Sequence, residues 1–175
     1  MKREKIEWKL ISELMKNSKN SDRELAKIIG VSQPTITRTR SRLEKEGYIK
    51  EYTMIPDFSK LGFEIMSVSL TKMKKELTEE ERVKVRELGN EILSKHPFAI
   101  VMAMSGMGLG YDRVVIAFHE NYGSYMRFVQ ETNRFPNAEL YDNQSFLVST
   151  SGDHYMPLTF SELANYLSKM KEKKE

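Results

Sequence analysis

Residues 21–46 read SDRELAKIIGVSQPTITRTRSRLEKE. Two short helical patterns meet here at a tight turn, Gly30-Val31. Ser21 is placed to cap the first helix, with Glu24 three residues on to complete a capping box. Leu25, Ile28 and Ile29 then share one face by helical spacing. Gly30 suits the left-handed position that ends a helix. Ser32 caps the second helix, and Pro34 is tolerated in its first turn, where an N–H would lack an intrahelical partner. Val31 and Ile36 sit at the positions of a hydrophobic staple. Ile36 and Leu43 point inward, and Gly47 stops the helix.

What stays outward on the second helix is polar: Gln33, Thr35, Thr37, Arg38, Ser41 and Arg42, with Ser32 at its cap. Gln pairs with adenine edges, Arg with guanine edges or phosphates, and Ser or Thr with either. A solvated polar face would have the same residue types. The coincidence of caps, turn and polar row instead matches a helix-turn-helix, whose second helix enters the major groove of DNA.

The rest of the chain sets limits on this reading. Its 175 residues suffice for one domain or two small ones. There is no cysteine, so neither a disulfide framework nor a thiolate metal site is available. No apolar run approaches the roughly 18 residues of a membrane span, and MKREKIEWKL lacks the apolar core of a signal peptide. A cytoplasmic protein with no membrane partner is the expectation. The net charge is +3, but it is unevenly spread. Residues 1–50 carry 13 Lys or Arg against 7 Asp or Glu, whereas residues 51–175 carry 15 against 18. A basic N-terminal part on an acidic remainder suits a nucleic-acid binder at that end.

Before the motif, a helix is expected from about Glu4 to Asn17, with Ile6, Leu10, Ile11 and Leu14 inward. After it, Tyr48 to Ile55 alternates like a strand, and Pro56-Asp57 breaks it. The domain junction is expected between about Thr53 and Gly62. The second part reads strand, helix, strand, strand, helix, strand. Met66, Val68 and Leu70 alternate with Ser67, Ser69 and Thr71. Thr78 and Glu81 make a capping box for a helix with an apolar stripe of Val85, Leu88 and Ile92, ended by Pro97. Phe98 to Met104 is almost wholly apolar, as in a strand buried on both faces. Val114, Ile116 and Phe118 mark one side of the next strand. Asn121 caps a helix with Tyr122, Tyr125, Met126 and Val129 at helical spacing, closed by Phe135-Pro136-Asn137. Glu139 to Thr150 supplies the last strand. The order βαββαβ is the ferredoxin-like arrangement, with two helices on one face of a sheet. The other face needs a cover, which points to a dimer. A final helix follows, with a Thr159–Glu162 capping box, a Leu158–Leu163 staple and a stripe of Leu163, Tyr166, Leu167 and Met170. It should pack on its own domain or on a second subunit.

The stretches ELAKIIGVSQPTITRTRSRLEKEGYI, YTMIPDFSKLGF and SGMGLGYDRVVIAF together resemble the Lrp/AsnC family of bacterial and archaeal transcription regulators, over about residues 5 to 150. The first stretch alone is shared in kind with other winged-helix regulators; the linker and the βαββαβ order add the specificity. The resemblance implies an α+β fold: an N-terminal (winged) helix-turn-helix domain with a linking strand over 1–55, and a ferredoxin-like effector and oligomerisation domain over 62–152. The additional C-terminal helix, 157–172, extends past the family's usual end. The resemblance also implies double-stranded DNA as partner, a homodimer or higher homo-oligomer, no cofactor, and an amino-acid effector as a small-molecule partner. The family builds part of its effector pocket from the loop between the middle strands, which here contains Gly106, Gly108, Gly110, Tyr111 and Asp112 and looks longer than usual. A Gly106 N–H and the Asp112 carboxylate could hold the two ends of an amino acid; a simple hairpin using glycine for positive φ is the other reading. Arg40 stands where the family has an aliphatic residue. Either its stem snorkels across the core to lift the guanidinium to a phosphate, or Thr39 takes the inward place.

Other chemistries find little support. His96, His119 and His154 are not spaced as a ligand pair. The three glycines lie between two strands rather than strand and helix, which excludes a dinucleotide loop. No nucleophile–base pair is visible, so an enzyme is not expected. Two further functions remain open: an architectural oligomer with low sequence specificity, and a small-molecule-binding protein whose helix-turn-helix contacts protein.

Overall fold

The computed structural model describes residues 3–72, 78–95, 99–133, 144–152, 156 and 158–172. The chain divides into two compact units. One combines the residues before Pro56 with the C-terminal helix, and the other runs from Pro56 through the last strand.

In the first unit, α1 (Arg3–Lys16), α2 (Asp22–Ile29) and α3 (Gln33–Lys45) surround an apolar core. Leu10, Leu14, Leu25, Ala26, Ile29, Ile36 and Leu43 are buried, and Ile6, Ile11, Val31 and Ile49 pack against them. Leu10, Leu25, Ile36 and Leu43 are almost wholly shielded, each worth about 1.5–3 kcal/mol of transfer free energy. Ile28, expected on the inner face of α2, is 55% exposed, and Ala26 takes the buried place. Eight residues are too few to hide a full stripe against two neighbours. The alternating segment Tyr48 to Ile55 is not a strand. Tyr48, Tyr52 and Met54 are exposed, and among the described residues no strand pairs with this segment.

Helix α6 (Ser161–Glu172) returns to this unit and packs on α1. The contact is made by small residues. The fully buried Ser12 donates from Oγ to the Ala164 carbonyl (2.9 Å), and its Oγ lies 2.8 Å from Ser168 Oγ. The expected stripe is therefore rotated. Ala164 is buried and Leu167 half-buried, whereas Leu163 and Tyr166 face solvent at 49% and 59% exposure. The Leu158–Leu163 staple does not shield either partner, since Leu158 is exposed too. Close backbone approach through Ser12, Ala164 and Ser168 outweighs the larger side chains, because small residues let two helices touch along their length.

The second unit holds β1 (Ile65–Thr71), α4 (Glu79–Lys95), β2 (Ala99–Gly108), β3 (Tyr111–His119), α5 (Tyr122–Thr132) and β4 (Gln144–Ser149). The strands form one antiparallel sheet in the order β2-β3-β1-β4. The Thr78–Glu81 capping box opens α4, and Asn121 caps α5. Helix α5 buries Phe128 against His119, with ring centroids 5.2 Å apart. Tyr122 and Met126, expected on the inner stripe, are exposed. The helix-covered face of β1 carries Ser67 and Ser69, both buried; Ser67 Oγ meets His119 Nε2 at 2.8 Å, and Ser69 Oγ meets Ser145 Oγ at 2.9 Å. The opposite face carries Val68, Leu70, Val114 and Ile116 in register with Phe146 and Met104. Phe146 is 72% exposed and Met104 58%. At one end of that face Phe58 stacks on Phe118 at 3.7 Å, with Phe63 set edge-on. Strand β2 is not buried on both faces as its composition suggested. It lies at the sheet edge, and Val101 is 57% exposed. Apolar composition records that a strand avoids water, not which neighbour supplies the shelter. His96, His154, Pro97, Phe98, Phe135-Pro136-Asn137 and the start of the last expected strand lie outside the described residues.

Candidate nucleic-acid interface

The presentation of α3 is set by local chemistry. Ser21 Oγ accepts the Glu24 N–H while the Glu24 carboxylate accepts the Ser21 N–H, so the capping box closes both ways. Two bonds donated to the carboxylate lower the Glu24 pKa, the Ser21 backbone N–H acting most strongly and the Ser21 hydroxyl, 2.7 Å away, next. Gly30 ends α2 at φ +80°. Ser32 then caps α3, accepting the Thr35 N–H at 3.4 Å, and the Ser32 and Thr35 hydroxyls lie 2.8 Å apart. At the far end Gly47 adopts φ +76°, the Tyr48 N–H reaches the Leu43 carbonyl at 2.9 Å, and the Gly47 N–H reaches that of Glu44 at 3.1 Å. That pair of bonds is a Schellman ending.

The outward row divides into three groups. Gln33, Arg38 and Ser41 are exposed, and their side chains make no hydrogen bond or ion pair among the described residues. Gln33, Thr37 and Ser41 follow one another at four-residue steps, so they line a single face with Arg38 beside them. Exposed Lys45 continues that side, seven residues after Arg38; the same spacing rule could have found it in the sequence. Ser32 and Thr35 spend their hydroxyls on the cap. Thr37 is exposed, and its hydroxyl donates to Asp22 Oδ2 at 2.6 Å.

The remaining two arginines are engaged within the protein. Arg40 is neither aimed at solvent nor replaced by Thr39. Its side chain is 22% exposed, Nε lies 3.0 Å from Asp22 Oδ1, and an Nη donates to the Asn20 carbonyl at 3.1 Å. The guanidinium also sits 5.7 Å from the centroid of the Tyr52 ring. Partial desolvation and donation to the Glu44 carboxylate, at 2.7 Å, push the Tyr52 pKa up to about 12. Thr39 bonds its own helix, donating to the Thr35 carbonyl. Arg42 is paired with Glu7 of α1 and lies 3.7 Å from Glu46. Arg40 and Arg42 thus tie α3 to its neighbours. Asp22 was missed in the sequence because its partners are 15 and 18 residues away, beyond any local pattern.

The glycine segment of the other unit is not a long loop. The strands continue through it to a two-residue turn, Leu109 at φ +52° and Gly110 at φ +84°, flanked by the Gly108–Tyr111 pair. Both turn residues have positive φ, as in a type I′ hairpin. Tyr111 is buried, and Asp112 Oδ1 lies 3.9 Å from Arg113 Nε. Around Gly106 and Gly108 a Cβ would meet nothing within 4 Å, so this chain's own packing does not demand glycine at either.

Residues 3–50 match the family described as winged helix-turn-helix DNA-binding. The chain is 31% identical over 126 residues to an HTH-type transcriptional regulator of Pyrococcus furiosus, covering 71% of this chain and 78% of that protein. It is 40% identical over 68 residues to the HTH-type transcriptional regulator LrpC of Bacillus subtilis, covering 39% of this chain and 47% of LrpC. The chain belongs to the Lrp/AsnC family. Like LrpC, several curated relatives are matched over less than two thirds of their length. The fold of this chain recurs in a transcriptional regulator of Neisseria meningitidis solved as a complex with L-Met. That structure aligns at a TM-score of 0.68 and 19% identity, over 90% of this chain and 97% of that one. No described helix is long and apolar enough to cross a membrane, and no described cluster of His, Cys, Asp or Glu is arranged to hold a metal.

Proposed function

We propose that the protein is a homodimeric, sequence-specific DNA-binding transcription regulator of the cytoplasm, in which α3 enters the major groove. The observation that carries this is the uncommitted row on α3: Gln33 and Ser41 on one face with Arg38 beside them, held by a capped turn on the basic part of the chain. Gln and Ser suit base edges, and an unpaired Arg suits guanine or phosphate. Arg40 and Arg42 contribute chiefly by holding α3 in place. Membership of a family of transcription regulators supports the same reading. The apolar sheet face around Val68, Ile116, Met104 and Phe146 is the surface we assign to the second copy. A two-fold pair would then set its recognition helices about one DNA turn apart, near 10 base pairs or a multiple. A relative solved with L-Met supports an amino-acid effector, and the Gly106–Asp112 hairpin is the candidate contact.

The test is binding of the full chain to selected and random duplexes across a salt series. Arg38→Ala should lower the slope of log affinity against log salt by about 1 while leaving the melting temperature unchanged. A slope and affinity equal to those of the parent would exclude α3 as the DNA-contacting helix.

A further inference from the structure

Thr37 lies in the middle of the exposed row of α3, and its hydroxyl has one proton. Two acceptors compete for it: Asp22 Oδ2 at 2.6 Å and the Gln33 carbonyl oxygen at 3.2 Å. Neither can donate in return, because a carboxylate and a carbonyl have lone pairs only. Asp22 is itself fixed from the other side, with Oδ1 3.0 Å from Arg40 Nε. Arg40 in turn is held by the Asn20 carbonyl and the face of Tyr52. The proton on Thr37 therefore points into the protein. What Thr37 offers outward is the lone pair of its oxygen.

That polarity restricts what Thr37 can touch. A phosphate oxygen accepts and does not donate, so it cannot bond an oxygen whose proton is already used. Guanine O6, thymine O4 and the purine N7 atoms are acceptors for the same reason. The donors in the major groove are the exocyclic amino groups, adenine N6 and cytosine N4. We propose that Thr37, locked by Asp22, is an acceptor-only reader that selects adenine or cytosine over guanine or thymine at one position of each half-site. This rests on α3 being the recognition helix. Asp22 acts through Thr37 and is a positioning residue, with no DNA contact of its own.

Selection from a randomised duplex library, followed by sequencing and affinity measurement, tests this on the full chain. The parent should enrich adenine or cytosine at one position per half-site. Thr37→Val keeps the shape and removes the oxygen; it should flatten the preference there and weaken binding to the selected site about fivefold, the value of one ordinary hydrogen bond. Thr37→Ser restores the oxygen and should restore the preference. Asp22→Asn places an amide opposite Thr37, which can donate to the hydroxyl and leaves only the longer, 3.2 Å contact with the Gln33 carbonyl to hold its proton, so that the proton can turn outward to a base acceptor. Guanine and thymine should then be accepted at that same position, a change that loss of stability alone would not produce. If Thr37→Val keeps every preference of the parent, the assignment of Thr37 is overturned while the DNA-binding reading stands. If the parent enriches no sequence and binds no duplex, both are overturned.

Discussion

Replacing Arg40 by Ala separates a structural arginine from a DNA-contacting one. In the structure its guanidinium meets Asp22 at 3.0 Å, donates to the Asn20 carbonyl at 3.1 Å and lies over Tyr52, with the side chain 22% exposed. A hydrogen bond involving a charged group is worth about 1.5–3 kcal/mol. The ion pair, partly open to solvent, adds up to about 1 kcal/mol, and the contact with the ring about 0.5–1 kcal/mol. These contributions share one side chain and do not add fully. A net loss of about 2–3 kcal/mol is expected, or a fall on the order of 10 °C in the melting of the first unit. Arg40→Met should recover part of the loss, because it retains the buried stem. A double-mutant cycle with Asp22→Asn should return a coupling of about 1–2 kcal/mol. Duplex binding measured below the transition should keep the parent's salt slope. If Arg40→Ala melts with the parent and instead lowers that slope by about 1, Arg40 reaches a phosphate and the clamp described here is wrong.

Three further outcomes follow from other buried groups and faces. Burial lowers the pKa of His119, so as pH falls the unfolded chain takes up the proton first, near 6.5. Stability should therefore decline below about pH 6.5, by up to about 1.4 kcal/mol per pH unit, until the folded state is protonated too. Urea midpoints at pH 7.5 and 5.5 check this: His119→Gln should lack that component, and identical pH dependence in both proteins would contradict it. Ser12, fully buried between α1 and α6, has no room for growth. Ser12→Leu should cost about 3 kcal/mol from overpacking and the lost hydrogen bond, and an unshifted urea midpoint would mean that α6 does not pack there. Phe146→Glu puts a charge on the proposed pairing face and should turn a dimer into a monomer by sedimentation equilibrium; an unchanged mass would move the interface elsewhere.

Much of the first unit was legible because its signals are short-range. A cap and the N–H it bonds are three residues apart, as at Ser21–Glu24 and Ser32–Thr35. Gly30 and Gly47 mark positive φ where a side chain is strained. The order of elements in the second unit was legible for the same reason, since period and punctuation are read in windows of a few residues. Misreadings occurred where a local pattern had to be assigned a neighbour. Tyr48 to Ile55 alternates but found no strand to pair with. The β2 composition suggested a central strand, yet β2 is an edge. The glycines looked like a loop, and the strands run through them to a two-residue turn.

Within the candidate interface the division is similar. Residue type and spacing were enough to pick out Gln33, Thr37, Arg38 and Ser41 as outward, because helical periodicity alone decides which side of α3 they share. The sequence marked Arg40 as an arginine at an inward position without showing its partners, and nothing in it separated free Arg38 from Arg42, identical in type and four residues further on. The separation depends on Asp22, Asn20, Tyr52 and Glu7 reaching them from other elements, and such partners are chosen by three-dimensional proximity. The inner face of α6 was set in the same way: close packing of Ser12 with Ala164 and Ser168 overrode a stripe of larger side chains. By itself, then, the sequence determined the elements, their caps and their order, since each is an interaction among near neighbours in the chain. Tertiary structure alone decided which arginine is free, which way the Thr37 proton points and where the last helix lies, since each depends on groups distant in sequence and close in space.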